Sequence, residues 1–255
     1  MPRILVTNDD GVHSPGLAAL VAAMKPLGDV TVVAPATEMS AVSHALTITR
    51  PLRLERVRDG VFAVDGTPTD CVTLAYVKVL DAPPDLVVSG INLGYNLSVD
   101  ITYSGTVAGA MEGTIFGVPS IAFSLCRTKV YDFTQATWAA RVVAQRVLDT
   151  GLPLRTLLNV NIPQERVRGF RVTIAAGRTY RPEVLEGIDP RGRTYFWIKE
   201  GQSDVDPGPR SDYHAVREGF VSVTPLRPDL THHAEVESAL ALALPETLAD
   251  SIQLV

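Results

Sequence analysis

Two adjacent carboxylates, Asp9 and Asp10, follow the short apolar run 4–7 and precede Gly11. Neighbouring residues on a strand point to opposite faces, so both carboxylates converge only where the chain leaves strand geometry, which a glycine permits. Two like charges held close together repel each other, and a bound cation relieves that repulsion. The turn is therefore a candidate metal site, and the alternative is a solvated Asp-Gly turn.

Two later segments carry further oxygen donors. Ser40 lies in the segment 34–43, and Asn92 lies in the segment 89–96. Carboxylate, hydroxyl and carboxamide oxygens suit Mg²⁺, Mn²⁺ or Ca²⁺, whereas zinc prefers Cys and His ligands. Two carboxylates on a divalent ion give a neutral site, with coordination positions left for water and a phosphate oxygen. Each segment taken alone also fits an ordinary loop.

The sequence Ser104-Gly105-Thr106 stands at the start of a predicted helix. The N–H groups and the dipole of a helix N-terminus favour phosphate, and a glycine lets the backbone approach closely. With Asn96, these residues are predicted to cradle a phosphoryl group and to stabilise charge on its oxygens. Simple N-capping by Ser104 is the alternative. His13 could donate a proton to a leaving group, or it is an ordinary surface histidine.

The hydrophobic pattern predicts the elements that bring these segments together. Strands are predicted at 4–7, 30–34, 61–64, 86–89, 120–124, 157–162, 170–174 and 220–224, with an extended segment at 46–52. Helices are predicted at 14–27, 67–80, 104–116 and 134–150, and the first two open on Ser-Pro and Thr-Pro pairs. This alternation predicts an α/β fold, a mostly parallel sheet with helices on both faces. Ligands of such sheets bind beyond the carboxyl ends of the strands, where the polar segments are expected to meet.

The region 178–219 breaks the alternation because it is rich in Pro, Gly and charge. A strand-like stretch at 194–198 follows the turn 189–192, which predicts a projecting C-terminal β-hairpin arm. A last helix is predicted from 235 to about 244. We therefore divide one structural domain into an α/β core with the metal and phosphate site, residues 1–177, and an oligomerisation segment, residues 178–255.

Aromatic residues at 195–197 lie on the predicted arm, where both faces of a hairpin would meet water. Exposed aromatic groups commonly mark association surfaces, so a homo-oligomer is expected. The alternative is that the arm folds back over its own active site as a lid.

Composition excludes several classes of partner. The 255 residues carry a formal net charge of -5 and no basic tract, which makes nucleic acid a poor partner. No signal peptide and no apolar run long enough to span a membrane are recognised, so a cytoplasmic protein without a membrane partner is expected.

Several motifs resemble those of the SurE family of survival-protein nucleotidases. They are Thr7-Asn8-Asp9-Asp10-Gly11 with Ser14-Pro15-Gly16, Gly66-Thr67-Pro68-Thr69-Asp70-Cys71, Ser89-Gly90-Ile91-Asn92, Tyr103-Ser104-Gly105-Thr106 and Val223-Thr224-Pro225-Leu226 with Asp229-Leu230-Thr231. The resemblance implies a Rossmann-like core and metal-dependent dephosphorylation of nucleoside 5′- and 3′-monophosphates. It also implies a homodimer or homotetramer paired through C-terminal segments.

The resemblance further implies one divalent ion, Mg²⁺ or Mn²⁺, in each subunit, with ligands at Asp9, Asp10, Ser40 and Asn92. The predicted catalytic residues are Asp9, Asp10, Asn96, Ser104 and Thr106, and the predicted substrate-binding residues are Asn96, Ser104, Gly105 and Thr106. The chain departs from the family pattern at Ala41, where many relatives have Gly, and at Tyr95, where Pro is common. Tyr95 is expected near the substrate.

Two other functions are alternatives to a metal-dependent nucleotidase. A phosphatase of the haloacid-dehalogenase kind forms an aspartyl-phosphate, but it spaces its two aspartates with one residue between them, whereas Asp9 and Asp10 are adjacent. A non-enzymatic nucleotide-binding stress protein is compatible with the same fold. The donor set that leaves open coordination positions argues against it, and phosphate release with and without a chelator separates the two.

Overall fold

The computed structural model describes residues 1–164, 166–199, 203–206 and 208–236. The strands are β1 (Arg3–Thr7), β2 (Asp29–Pro35), β3 (Leu54–Arg58), β4 (Val61–Val64), β5 (Leu86–Leu93), β6 (Ser120–Leu125), β7 (Leu157–Ile162), β8 (Phe170–Val172), β9 (Gly177–Tyr180), β10 (Glu183–Ile188), β11 (Thr194–Lys199), β12 (Ser203–Asp206) and β13 (Val221–Leu226). The helices are α1 (Pro15–Met24), α2 (Pro68–Leu74), α3 (Gly105–Ile115), α4 (Thr134–Thr150) and α5 (Asp212–Arg217).

A nine-stranded sheet in the order β3-β4-β2-β1-β5-β6-β7-β13-β8 forms the centre of the molecule. Its middle strands pair in parallel, while β3 runs antiparallel to β4 and β13 runs antiparallel to β7. The carboxyl ends of β1, β2 and β5 therefore meet at one edge. The predicted α/β architecture with a mostly parallel sheet is confirmed.

Helices cover both faces of the sheet, as the sequence predicts. On one face, α1 and α4 bury residues such as Leu20 and Ala140 in a core that includes Phe123. On the other face, α2 packs Cys71 against Leu5, and α3 packs Val107 against the sheet. Burial of apolar surface on both sides is the main force that holds the layers together.

Two helix starts are confirmed, and one helix end is not where the pattern places it. The Thr67 side chain accepts a hydrogen bond from the Asp70 N–H, and the Asp70 carboxylate accepts one from the Thr67 N–H, which completes a capping box at α2. Ser14 occupies the N-cap of α1 without a side-chain capping bond. The α-helix predicted at 67–80 ends at Leu74 and continues as the π-helical turn Ala75–Val79.

Two other predictions about elements are corrected, and one helix is additional to those predicted. The strand predicted at 86–89 extends to Leu93, so Asn92 lies on β5 and not in a loop. The extended segment predicted at 46–52 is irregular, because Thr47 bonds the Asp70 carboxylate through its N–H and hydroxyl, and strand pairing begins at Leu54. Helix α5, within the predicted arm region, was not predicted.

The arm contains the predicted hairpin. Strands β10 and β11 pair antiparallel from Glu183 with Lys199 to Ile188 with Thr194, and the Asp189 carboxylate accepts bonds from the backbone of Arg191 and Arg193 at the turn. Strand β9 pairs with β12 at the base of the arm. A helix is predicted at 235–244, and its residues from 237 onward lie outside the part of the chain that the structure describes.

No helix in the described ranges has the length and apolar character that crossing a membrane requires.

Candidate active site

The segments that follow β1 and β2 are held together by backbone hydrogen bonds. The N–H of Met39 donates to the carbonyl of Asp9 at 2.7 Å, and the N–H of Val12 donates to Pro35 at 2.8 Å. Gly11 has a φ of +96°, in the region that favours glycine, and lets the chain turn sharply after the paired carboxylates. Asp9 and Asp10 therefore face the segment that carries Ser40, which is one residue beyond Met39.

Asp9 lies under the N-terminus of α3. Its side chain is buried, and its Oδ1 accepts a hydrogen bond of 2.5 Å from the Thr106 hydroxyl. A Cβ atom added to Gly105 would lie 2.9 Å from the Asp9 Cβ, closer than real Cβ contacts, so only glycine fits this approach. Burial raises the pKa of Asp9, and the Thr106 hydrogen bond opposes that rise.

Asp10 is the second carboxylate of the pair. Burial and the neighbouring charge of Asp9 raise the pKa of Asp10 to about 6, while the Leu93 N–H and the Arg127 guanidinium lower it. Its Oδ2 is buried and, within the described part of the chain, accepts no hydrogen bond. A carboxylate oxygen removed from water and left without a donor is costly, and a cation would satisfy it.

Asn92 and Ser40 complete the predicted ligand set. The Asn92 Nδ2 donates to the Gly94 carbonyl at 3.0 Å, which fixes the plane of the carboxamide at the end of β5. The exposed Ser40 hydroxyl donates to Glu38 Oε1 at 2.7 Å. The structure thus brings the three segments that carry the four predicted ligands to one edge, although the Ser40 hydroxyl bonds Glu38 and not either aspartate.

The donor chemistry fits a hard divalent ion. Among the described residues, no cluster of three or more His, Cys, Asp or Glu side chains could hold a metal. A site on Asp9 and Asp10 therefore requires neutral oxygens as its other ligands, and Ser40 and Asn92 are of that type. The orphaned Asp10 Oδ2 is the structural observation that such an ion would account for.

The predicted phosphate residues have polar atoms already bound to protein. The Ser104 hydroxyl accepts from the Val107 N–H at 3.1 Å, so this side chain is an N-cap of α3. The Thr106 hydroxyl is bound to Asp9, and the buried Asn96 Nδ2 donates to Ser124 Oγ at 2.7 Å. Thr106 and Gly105 contact Asp9 directly, and the contact of all four predicted residues with a phosphoryl group stays a prediction.

Two asparagines on β7 were not predicted as site residues. Asn159 and Asn161 are both fully buried, and both bond the backbone of Asn96. The chain has five asparagines, and the other three are Asn8, Asn92 and Asn96. Two carboxamides on the same face of an otherwise aliphatic strand are the sequence signal that would have identified them.

A second unpredicted group anchors the segment beyond Ser40. His44 Nε2 lies 2.8 Å from Glu112 Oε2 on α3, and the Ser43 N–H donates to the Tyr103 carbonyl at 3.1 Å. Ala41, which replaces the glycine common in the family, has a φ of +56°, in the left-handed region that disfavours side chains. The Ser40 segment is therefore held under backbone strain at Ala41 and anchored beyond it.

His13 and Tyr95 are the two remaining candidates. His13 is exposed and lines a groove with Arg58 and Val61, between α1 and the edge of the sheet. Tyr95 is half-buried beside Asn96. The roles of both residues stay predictions.

Known proteins share this chain's sequence and fold. The family model described as "Survival protein SurE" matches residues 4–182. A 5′-nucleotidase SurE from Syntrophotalea carbinolica is 53% identical over 236 residues, which cover 92% of this chain and 94% of that relative. Another, from Geobacter sp. strain M21, is 48% identical over 247 residues, which cover 95% of this chain and 100% of that relative.

A solved structure gives the same result. The crystal structure of the Sure protein from Aquifex aeolicus matches with a TM-score of 0.83 and 44% identity, and the match covers 95% of this chain and 100% of that one. The resemblance inferred from the motifs is confirmed, and the chain belongs to the SurE family.

Proposed function

We propose that this chain is a metal-dependent phosphomonoesterase that releases phosphate from nucleoside 5′- and 3′-monophosphates. The observation that carries the proposal is the adjacent pair Asp9 and Asp10 at the carboxyl end of β1. Asp9 is buried, and the buried Oδ2 of the half-buried Asp10 accepts no hydrogen bond within the described residues. Relatives named 5′-nucleotidase SurE that match over most of the chain support the choice of substrate.

One divalent ion per subunit, Mg²⁺ or Mn²⁺, would be held by Asp9, Asp10, Ser40 and Asn92. When bound, such an ion supplies positive charge that polarises a phosphoryl oxygen and favours attack by water. The protein's own contribution is to hold two carboxylates close together, with the Asp9 side chain and the Asp10 Oδ2 removed from water. Thr106 fixes the orientation of Asp9, and Leu93 fixes that of Asp10.

The phosphoryl group would lie between these carboxylates and the N-terminus of α3. Gly105 brings the first turn of that helix into contact with Asp9, which places the positive end of the helix dipole at the site. Asn96, Ser104 and Gly105 would donate to its oxygens and stabilise charge as it develops in the transition state, while Thr106, whose hydroxyl hydrogen is donated to Asp9, would act through that carboxylate. Arg127 is a further cation near Asp10, and its charge favours an anionic substrate there.

A panel of substrates tests the proposal. Purified protein is mixed with nucleoside 5′-monophosphates, nucleoside 3′-monophosphates and polyphosphate, each with Mg²⁺, with Mn²⁺ and with chelator, and inorganic phosphate is measured. We expect turnover of the monophosphates only with metal. Nucleotide binding without phosphate release under any condition would instead support the non-enzymatic alternative, and trapping of a phospho-aspartate would support the haloacid-dehalogenase mechanism.

We infer that the protein is a cytoplasmic homodimer or homotetramer that associates through the segment 178–255. The side chains of Phe196, Trp197 and Ile198 on β11 are 63%, 68% and 81% exposed in the single chain. Such a run of large apolar groups is expected at an association surface.

Charge placed on this surface tests the association. Phe196→Asp combined with Trp197→Asp should lower the mass measured by light scattering, while Lys25→Asp, on the exposed end of α1, should leave it unchanged. A wild-type protein that is monomeric at micromolar concentration would exclude association and leave the lid as the function of the arm.

A further inference from the structure

Two buried carboxamides on β7 hold the backbone of one residue. Asn161 Oδ1 accepts the Asn96 N–H at 2.8 Å, and Asn161 Nδ2 donates to the Asn96 carbonyl at 3.0 Å. Asn159 Nδ2 donates to the same carbonyl at 2.8 Å. All three side-chain bonds therefore converge on a single peptide segment 63 to 65 residues away in sequence.

Asn96 needs these partners because it lies beyond the sheet. Strand β5 ends at Leu93, so no neighbouring strand pairs with the Asn96 backbone. Yet Asn96 is only 6% exposed, and a buried N–H or carbonyl without a partner is costly. The Asn161 carboxamide supplies one acceptor and one donor to the Asn96 backbone, as a paired strand would. The hydrogen bonding of the sheet thereby extends to Asn96.

These hydrogen bonds to the Asn96 backbone restrict the positions that the Asn96 side chain can adopt. With the backbone fixed on β7, the Asn96 Nδ2 reaches Ser124 Oγ on β6, which leaves little freedom for the carboxamide. The far side of the same loop is fixed separately, because the Ser98 N–H donates to Asp212 at 2.9 Å. The backbone is thus fixed by the protein itself at Asn96 and again at Ser98.

We propose that Asn161, assisted by Asn159, is a positioning residue that orients Asn96 for the substrate phosphoryl group. This inference rests on the proposed function, because it assigns a role within the same site. It adds residues on β7 that have no described contact with any of the four predicted metal ligands. A displacement of about 1 Å in a site of this kind can lower the rate about 100-fold, which makes such positioning measurable.

The first test compares Asn161→Ala with Thr173→Val. Thr173 is buried on the neighbouring part of the sheet and bonds Ser222 and Thr224, so its loss removes buried hydrogen bonds of comparable kind away from the site. Both variants should unfold at lower temperature. Only Asn161→Ala should lower kcat/KM by about 100-fold and weaken inhibition by inorganic phosphate. Its affinity for Mn²⁺, measured by calorimetry, should stay at the wild-type value.

The second test repeats Asn161→Ala in an Asn96→Ala background. The backbone bonds of Asn161 persist there, so its loss should lower the unfolding temperature as before, yet reduce kcat/KM no further. Equal losses of kcat/KM in both backgrounds, or a loss no larger than that of Thr173→Val, would overturn the inference. The proposed function fails separately, if the wild-type protein releases no phosphate with metal. Should Asn161→Ala not fold, Asn159→Ala is measured by the same criteria.

Discussion

The Thr106 hydroxyl donates a hydrogen bond of 2.5 Å to the Asp9 carboxylate, across 97 positions of sequence. Both residues are buried, and Gly105 packs against the same aspartate. The first turn of α3 therefore packs directly against Asp9, at the end of β1. This places the predicted phosphate site and the predicted metal site in direct contact.

Replacing Thr106 by Val removes that donor and keeps the side-chain volume. We expect the affinity for Mn²⁺ to fall at least about 10-fold, the usual effect of losing a partner that orients a metal ligand. Thr114→Val is the matched control, because Thr114 is buried on the same helix and its hydroxyl donates to the Ala110 carbonyl, away from the aspartates. Calorimetric titration with Mn²⁺ decides the outcome. If Thr106→Val instead weakens only phosphate inhibition, the hydroxyl serves the substrate and not Asp9.

Replacing Gly105 by Ala tests the close approach of α3 to Asp9. A Cβ at 2.9 Å from the Asp9 Cβ must move the helix or the aspartate, and overpacking of this kind costs about 1–3 kcal/mol. We expect a lower unfolding temperature together with weaker Mn²⁺ binding. Gly208→Ala is the control, since nothing lies within 4 Å of its added Cβ. Unchanged Mn²⁺ affinity in Gly105→Ala would contradict the contact as described.

The metal-free protein should respond to pH through Asp10. Burial and Asp9 raise its folded-state pKa from 3.8 to about 6, so the folded state holds a proton that the unfolded state releases. The ionised Asp10 beside Asp9 therefore lowers the stability of the folded state above about pH 6. This destabilisation is relieved as the pH falls from about 6 towards 3.8, because Asp10 takes up a proton.

Asp10→Asn removes this titration. With chelator present, the variant should gain stability relative to the wild type more at pH 7 than at pH 5, as measured by urea unfolding. Saturating Mn²⁺ should reverse the order at pH 7, because only the wild type binds the ion fully. A stability difference that is the same at both pH values would show that Asp10 is not perturbed.

Much of this structure could be predicted from local sequence patterns. Apolar runs, capping residues and glycines locate β1, β5 and α3, and the polar residues that follow them are thereby placed at one edge of the sheet. The end of β5 was misplaced because Gly90 resembles a turn residue. It is needed on the strand itself, since a Cβ there would lie 2.3 Å from the Phe123 carbonyl on β6.

Contacts between distant segments could not be predicted in the same way. The bonds from Asn159 and Asn161 to Asn96 join residues 63 and 65 positions apart, and no local pattern reports such a pairing. The scarcity of asparagine was a partial clue, because all five lie in or beside strand ends at this edge. The bonds that commit Thr106 to Asp9 and Ser40 to Glu38 likewise became visible only once the segments were placed together.

The central claim is that Asp9 and Asp10 hold a divalent ion on which phosphate release depends. The most direct measurement is phosphate release from a nucleoside 5′-monophosphate by wild-type protein and by Asp9→Asn, first with chelator and then after Mn²⁺ is restored. We predict that the wild type is inactive with chelator and recovers with Mn²⁺, whereas Asp9→Asn stays inactive with an unchanged circular dichroism spectrum. Turnover that persists in chelator, or near-normal turnover by Asp9→Asn in metal-limited buffer, would contradict the account.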